Sequence, residues 1–423
     1  MRTNGVTMNI LTLSCWSHSI KYQLFTWGGQ TLLAAGQVKR VGLGSSSFSL
    51  QVPGQPHNHR NIGFVDHRGA IQLIIKALTA RGAALPIAAV GHRVAHGGET
   101  FQHSVVIEGQ VLNSIRELQQ LAPLHISANI AGIEAAMEFL RDIPQVAIFD
   151  TTFHITMPDY AYIYPLPYEW YKKYGVRRYG FHGPSHIYLS RRAARLLNKP
   201  VTACNLITIH IDKGVSLCAI RNGISIDTSM GLTPLEGAVM ETRCGDIDAG
   251  ILPLMMQQLN LSAQEIERIL NQKSGIMGIT GLNTDRRHIL QAAIEGDKKC
   301  ALALKIEAYR LKKYIGAYLA VAGPLDAIVF TSGASELEWF SRELVLEGME
   351  CFGILTDPAK NHTDGSQWVE RLITDDTSPI SVFVIPTNEE LVFAEDVTAI
   401  LSGNDSYEYS FSGANFVPQR PVA

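Results

Sequence analysis

The chain has 423 residues, of which 46% are hydrophobic and 18% charged, with a formal net charge of -3. That balance is ordinary for a globular protein and gives no electrostatic case for nucleic acid or an anionic membrane as partner. The length leads us to expect two or three domains. Six scattered cysteines (15, 204, 218, 244, 300 and 351) with no Cys-x-x-Cys pair argue against a disulfide framework or zinc site. Without a signal-peptide pattern or an apolar run of roughly 18 residues, we expect a cytoplasmic α/β protein.

In chain order, residues 10–13, 21–27 and 31–38 read as three short strands, separated by a turn-like 14–19 and a Gly-Gly-Gln. Helical periodicity follows over 67–81, a strand over 87–92 and a helix over 111–121. The opening arrangement then returns: 206–211, 215–220 and 224–228 read as strands. Their separators are Asp212-Lys213-Gly214 and Arg221-Asn222-Gly223, the Asn-Gly being a strong hairpin signal. Helices are predicted over 253–259, 263–271 and 298–321, a buried strand over 327–332, a strand over 381–385 and a helix over 388–401. Two halves that each open with a three-stranded meander and continue as α/β units predict a duplicated fold, two domains around a cleft. The first domain is expected over 8–152, with the helix 388–401 returning to it. The second is expected over 153–387, and 404–423 as a loose tail.

The chemistry-bearing residues lie at strand ends and beside glycines. Gly91-His92-Arg93-Val94-Ala95-His96-Gly97-Gly98 follows an apolar strand, where α/β folds place ligand-binding groups. Arg93 offers a planar fork of donors suited to a carboxylate or phosphate. Asp150 closes the apolar run Val146–Phe149; it either caps a following helix or orients a reacting group or metal. Glycines flank Phe181-His182, so backbone can approach closely and His182 can face a transferring phosphoryl group. Arg243, in Thr242-Arg243-Cys244-Gly245-Asp246, is a second candidate clamp.

The segments GHRVAHGGETF, LAPLH, FDTTFH, YGVRRYGFHGPSH, DTSMGLTPLEG, TRCGDID and IPTNEEL, in this order over nearly the whole chain, resemble the acetate kinase family. The resemblance implies the duplicated fold shared by actin, Hsp70 ATPase domains and sugar kinases. It also implies ATP as co-substrate, Mg²⁺, a homodimer, and reversible phosphorylation of acetate or propionate. Carried over by position, Arg93 and Arg243 grip the carboxylate and the transferring phosphoryl group. Asp150 matches the catalytic aspartate, His182 the transition-state histidine, and His125 and His210 further active-site histidines. Ala95, Leu124, Phe181 and Pro234 correspond to the acyl pocket. Lys21, His210, Gly214, Asp285, Arg287 and Gly333 correspond to nucleotide contacts, and Glu389 and Ser14 to the metal shell.

The sequence departs from the family in its phosphate loops. Ser14-Cys15-Trp16-Ser17-His18-Ser19 stands for Asn-Ala-Gly-Ser-Ser-Ser, His210-Ile211-Asp212-Lys213-Gly214 for His-Leu-Gly-Asn-Gly, and Gly333-Ala334-Ser335-Glu336-Leu337 for Gly-Ile-Gly-Glu-Asn. Phosphate loops use small residues whose amides point inward. If the position of Trp16 needs positive φ, tryptophan would be strained there. Two readings follow: an active acetate or propionate kinase, or an impaired family member with a binding or regulatory role. A sugar kinase is disfavoured, since two arginine clamps suit an anionic acceptor. Alanine at 95, where acetate-preferring relatives carry valine, leaves room for a further methylene.

Overall fold

The computed structural model describes residues 8–27, 31–79, 86–283, 285–332, 337–362 and 369–404, apart from the side chains of Leu124 and Ser332. Gly333 and most of the expected tail therefore lie outside the described residues. The chain forms two compact units: one runs up to Thr152 and resumes at Asn388, the other spans Phe153–Thr387.

In the first unit, β1 (Met8–Trp16), β2 (Ser19–Trp27) and β3 (Thr31–Lys39) form the antiparallel meander. Strands β4 (Ser46–Gln51) and β5 (Asn58–Gly63) extend it at one side. On the other side β6 (Ala89–Val94) pairs parallel with β1, and β8 (Gln145–Phe149) pairs parallel with β6. A two-residue β7 (Val105–Val106) closes the edge, giving the order β5-β4-β3-β2-β1-β6-β8-β7. Strand β1 is buried on both faces, as its near-continuous apolar run requires. On one face Leu11, Leu13, Tyr22 and Leu24 pack on Ile71, Ile74 and Leu78 of the helix His67–Thr79 and on Ala135 of Pro123–Phe139. On the other, Ile10, Phe25, Ala89 and Ile148 meet Phe393, Ala394 and Val397 of the helix Glu389–Leu401. That helix starts where Asn388 caps it, its Oδ1 accepting from Leu391 N at 3.1 Å.

The second unit repeats the plan. Strands β9 (Leu206–Ile211), β10 (Val215–Arg221) and β11 (Ile224–Thr228) form the meander; β12 (Ala327–Ser332) pairs parallel with β9. The short β13 (Arg371–Leu372) and β14 (Ser381–Val384) complete the order β11-β10-β9-β12-β14-β13. The common core β3-β2-β1-β6-β8 and β11-β10-β9-β12-β14 is the same three antiparallel and two parallel strands, which is the signature of duplication. One face of β9 and β10 is apolar: Ile207, Ile209, Ile211, Leu217 and Ala219 pack on Leu311, Ile315 and Tyr318 of the long helix Lys298–Ala322. The opposite face carries Thr208, His210, Ser216 and Cys218 under the helix Gly183–Leu196. A polar strip beneath a buried helix must find internal partners, and that requirement builds the hydrogen-bonded cluster of the second unit.

The sequence reading missed β4, β5 and several helices, among them Pro123–Phe139, Gly183–Leu196, Arg286–Ile294 and Glu338–Leu346. It also expected 14–19 to be a turn. Instead β1 continues through Trp16, which pairs with Ser19 across a two-residue Ser17-His18 turn. Trp16 is not among the positive-φ residues, so the anticipated strain does not arise. No described helix is long and apolar enough to cross a membrane, and all six cysteines are free.

Candidate functional site

In the first unit the strand register assembles a row of polar groups on neighbouring strands. Lys21 of β2 lies opposite Ser14 of β1, and Ser14 opposite Arg93 of β6. Asp150 sits just past the end of β8, held by its backbone N–H donating to Val94 O at 3.0 Å. Arg93 donates from Nε and Nη2 to the two oxygens of Asp150 at 2.8 and 2.7 Å, and from Nη1 to Glu389 Oε2 at 3.3 Å. The fork geometry is the bidentate one that makes arginine–carboxylate pairs strong. Asp150 therefore orients Arg93 and does not cap a helix. Burial pushes the Asp150 carboxyl up, while Asp150 and Glu389 raise the Arg93 pKa and hold it charged.

The indole of Trp16 stands over the same guanidinium, 5.3 Å from ring centroid to Cζ, in a cation–π contact. Lys21 forms an ion pair with Glu390, a partner the sequence reading did not name. His92, next to Arg93 and buried, bonds through Nε2 to Gln145 Oε1 at 2.8 Å. Ala95 donates from its backbone to Asn129 Oδ1 at 3.0 Å, and Asn129 ties back to Cys15 O at 2.8 Å. His125 lies in the first turn of the helix Pro123–Phe139, its N–H donating to Ala122 O at 3.2 Å.

The second unit gathers His182, His210, Gly214 and Arg243. His182 precedes the helix Gly183–Leu196 at φ 59°, a left-handed conformation. For a histidine that is sparsely populated, and such strain concentrates at functional positions. Its ring lies 4.3 Å from that of His210, whose Nδ1 is bonded to Ser185 Oγ at 2.8 Å. A Cβ at Gly214 would come within 3.0 Å of His182 Cε1, 3.3 Å of His182 Nε2 and 3.2 Å of Arg243 Nη1. A side chain at 214 would thus crowd both groups, and the His182 ring and the Arg243 guanidinium lie against the same glycine.

Arg243 donates from Nη1 to Pro234 O at 3.2 Å, and burial lowers its pKa, partly countered by Glu241. No carboxylate among the described residues pairs with it. A half-buried arginine with no ion-pair partner among the described residues can take an anion from outside. The loop carrying Pro234 is clamped by Arg178, which donates to Glu236 Oε1 at 2.6 Å and to Thr228 O at 2.7 Å. Phe181 is buried, and its carbonyl accepts from His154 Nε2 at 3.0 Å.

Of the remaining expected residues, the structure describes Asp285 and Arg287. Asp212 and Lys213 are exposed. Asp285 caps the helix Arg286–Ile294 through Oδ1, and Arg287 is exposed. Between them, Arg286 is drawn inward to the buried Glu307 and Glu338. Gly333 and the Leu124 side chain lie outside what the structure describes. Two side chains that complete the second cluster had no role in the sequence reading: Ser216 went unnamed, and His186 appeared only as the end of the segment YGVRRYGFHGPSH. A serine inside the buried run Val215–Ile220 was the signal.

These two clusters, on duplicated sheets of the same topology, define the α/β fold of the short-chain carboxylate kinases, related to that of actin and the sugar kinases. The chain belongs to the acetokinase family, whose model matches residues 9–395. It is 56% identical over 419 residues to an acetate kinase of Geobacter metallireducens, spanning 97% of this chain and 100% of that one. It is 47% identical to an acetate kinase of Dictyoglomus thermophilum over 93% of this chain and 99% of the other. Among solved structures, the acetate kinase of Porphyromonas gingivalis superimposes with a TM-score of 0.86 at 40% identity, covering 93% and 100% of the two chains. A propionate kinase of Francisella tularensis does so at 0.87 and 36%, with the same coverage.

Proposed function

We propose that this chain transfers the γ-phosphoryl group of ATP reversibly to acetate or propionate, giving acyl phosphate and ADP. The single observation that carries this reading is Arg243: half-buried, without a carboxylate partner among the described residues, and lying against Gly214 together with the imidazole of His182. A carboxylate oxygen attacks the γ-phosphorus, the bond from phosphorus to the β–γ bridging oxygen breaks, and ADP leaves with that electron pair. The attacking group is already an anion, so no general base is needed. The transition state is loose and asks chiefly for in-line positioning and neutralisation of the equatorial oxygens. We assign that neutralisation to Arg243 and His182, with His210 and His125 as further polar contacts. Arg93, held by Asp150 and Glu389, is assigned to anion gripping, and Ala95, Leu124, Phe181 and Pro234 to the acyl pocket.

Lys21, Gly214, Asp285, Arg287 and Gly333 are assigned to the nucleotide. For a divalent cation, which we take to be Mg²⁺, the carboxylates of Asp150 and Glu389 with the nearby Ser14 hydroxyl are the hard oxygen donors it prefers. Among the described residues no group of three or more His, Cys, Asp or Glu could hold a metal alone. That agrees with an ion bound through one or two carboxylates plus phosphate and water. When bound it would neutralise phosphate charge. A homodimer is supported by the exposed Ile251, Leu254 and Leu259 on one helix, and a cytoplasmic setting by the free cysteines. No observation favours the impaired-member reading: Trp16 sits unstrained in β1.

The test is hydroxylamine trapping of acyl phosphate from ATP, Mg²⁺ and each acid. Hydroxamate that forms with wild type and is lost in Arg243→Ala supports the assignment; no hydroxamate from wild type at millimolar substrates refutes it.

A further inference from the structure

His182 does not stand alone in the second unit. Its Nδ1 meets Ser216 Oγ at 2.9 Å, Ser216 Oγ also meets His186 Nε2 at 2.9 Å, and His186 Nδ1 meets Thr208 Oγ1 at 2.7 Å. Ser216, His186 and Thr208 are all fully buried. Four polar side chains thus form one hydrogen-bonded file running from the core to the edge of His182. Nothing in the apolar packing asks for it, and burying polar groups costs free energy unless every one is satisfied.

The file has a direction. The neighbouring His154 shows how these rings are held. Its Nε2 must donate to Phe181 O, a carbonyl that only accepts, so in the neutral ring Nδ1 accepts from Ser225 Oγ at 2.9 Å. Burial depresses the pKa of both His154 and His186, whose rings meet edge to face at 5.6 Å. A neutral His186 has one N–H and one lone pair, and Ser216 one O–H. Two senses satisfy the file. In one, Thr208 donates to His186 Nδ1, His186 Nε2–H donates to Ser216, and Ser216 donates to His182 Nδ1. His182 then carries its proton on Nε2, the edge shared with Arg243 Nη1 beside Gly214. In the reverse sense a neutral His182 turns a lone pair toward that edge, which repels an anion. Only the first sense gives two donors at one anion site without burying a further charge.

We propose that Thr208, His186 and Ser216 form a relay that fixes the ring orientation and the Nε2–H tautomer of His182, which makes Ser216 and His186 positioning residues for phosphoryl transfer. The inference rests on the kinase reading for its purpose but not for its geometry. No proton need cross the relay during the reaction, since a carboxylate accepts the phosphoryl group without losing one. The relay acts by holding a donor still, and a preorganised donor is what charge stabilisation demands.

The test pairs kinetics with a direct view of the tautomer. Ser216→Ala should lower kcat about 10- to 100-fold, the range for removing an outer partner of a functional histidine. KM for ATP and for the carboxylate should change by less than about twofold, because binding contacts remain. His186→Gln, whose amide N–H can donate from the Nε2 position, should recover most of the rate that His186→Leu loses. Nitrogen-15 NMR of the wild-type side chains should show His182 bare at Nδ1 and protonated at Nε2, with that preference weakened in Ser216→Ala. A proton on His182 Nδ1 in the wild type overturns the relay whether or not any variant folds. An unchanged kcat in Ser216→Ala also overturns it. If the wild type forms no acyl phosphate, the kinase reading fails, and the NMR result still decides the relay.

Discussion

Replacing His92 by glutamine should change how stability responds to acid. His92 lies beside Arg93 on β6, buried, with Nε2 bonded to Gln145 Oε1 at 2.8 Å. Burial lowers its pKa to about 4, against an ordinary 6.5. Between those values the unfolded chain takes up a proton that the folded chain refuses. Its contribution to stability is therefore whole above the unfolded value and is lost as pH falls toward the folded one. At about pH 5 the loss covers roughly 1.5 pH units at about 1.4 kcal/mol each, or about 2 kcal/mol. Glutamine can still donate to Gln145 but does not titrate. The stability advantage of wild type over His92→Gln should thus be about 2 kcal/mol smaller at pH ~5 than at pH ~7.5. Other titrating groups, including Asp150, which burial pushes the opposite way, are common to both proteins and cancel in the difference. Urea unfolding followed by tryptophan fluorescence measures it. A difference that stays constant within about 0.5 kcal/mol would refute the reasoning, because His92 would then titrate alike in both states.

Three further substitutions probe other parts of the account. Arg286→Met leaves Glu307 and Glu338 buried without their common partner. It should cost about 3–5 kcal/mol, and a thermal melt within a degree or two of wild type would contradict the network. Asp150→Asn breaks the two-oxygen grip on Arg93, and kcat/KM for acyl phosphate formation should fall about 10²-fold; near-wild-type kinetics would remove Asp150 from the site. Ala95→Val adds two methyl-scale groups and takes the room for propionate's extra methylene, worth about 0.8 kcal/mol, so the acetate-to-propionate ratio of kcat/KM should rise about fourfold. A ratio that does not move would place the acyl pocket elsewhere.

Much of the fold was legible because its signals were local. The second meander is punctuated by Gly214 and Asn222-Gly223, and its three strands match the reading to within a residue. Asp150 was legible in position, while the residues alone left its role open between a helix cap and the orienting of a reacting group or metal. Only the parallel register of β6 and β8 reveals that its carboxylate meets Arg93. Strand β5 escaped because Asn-His-Arg-Asn carries no apolar alternation, whereas β4 was overlooked although Phe48 and Leu50 alternate with Ser47 and Ser49. Trp16 was misread for a physical reason. Its neighbours Ser14, Ser17 and Ser19 suggest a turn, yet cross-strand pairing with Ser19 keeps the segment extended. The relay behind His182 could not be read in the sequence, since Thr208, Ser216 and His186 come from two strands and a helix that only the tertiary fold superposes.

The central claim is phosphoryl exchange between a nucleotide and a short-chain acid, and the reverse reaction tests it most directly. Purified protein with acetyl or propionyl phosphate, ADP and Mg²⁺ should produce ATP, read by coupled luciferase or by phosphorus-31 NMR. The yield should depend on Arg243 and be abolished by chelating the metal. Acyl phosphate that persists unchanged beside millimolar ADP, with a protein shown to be folded, would contradict the account.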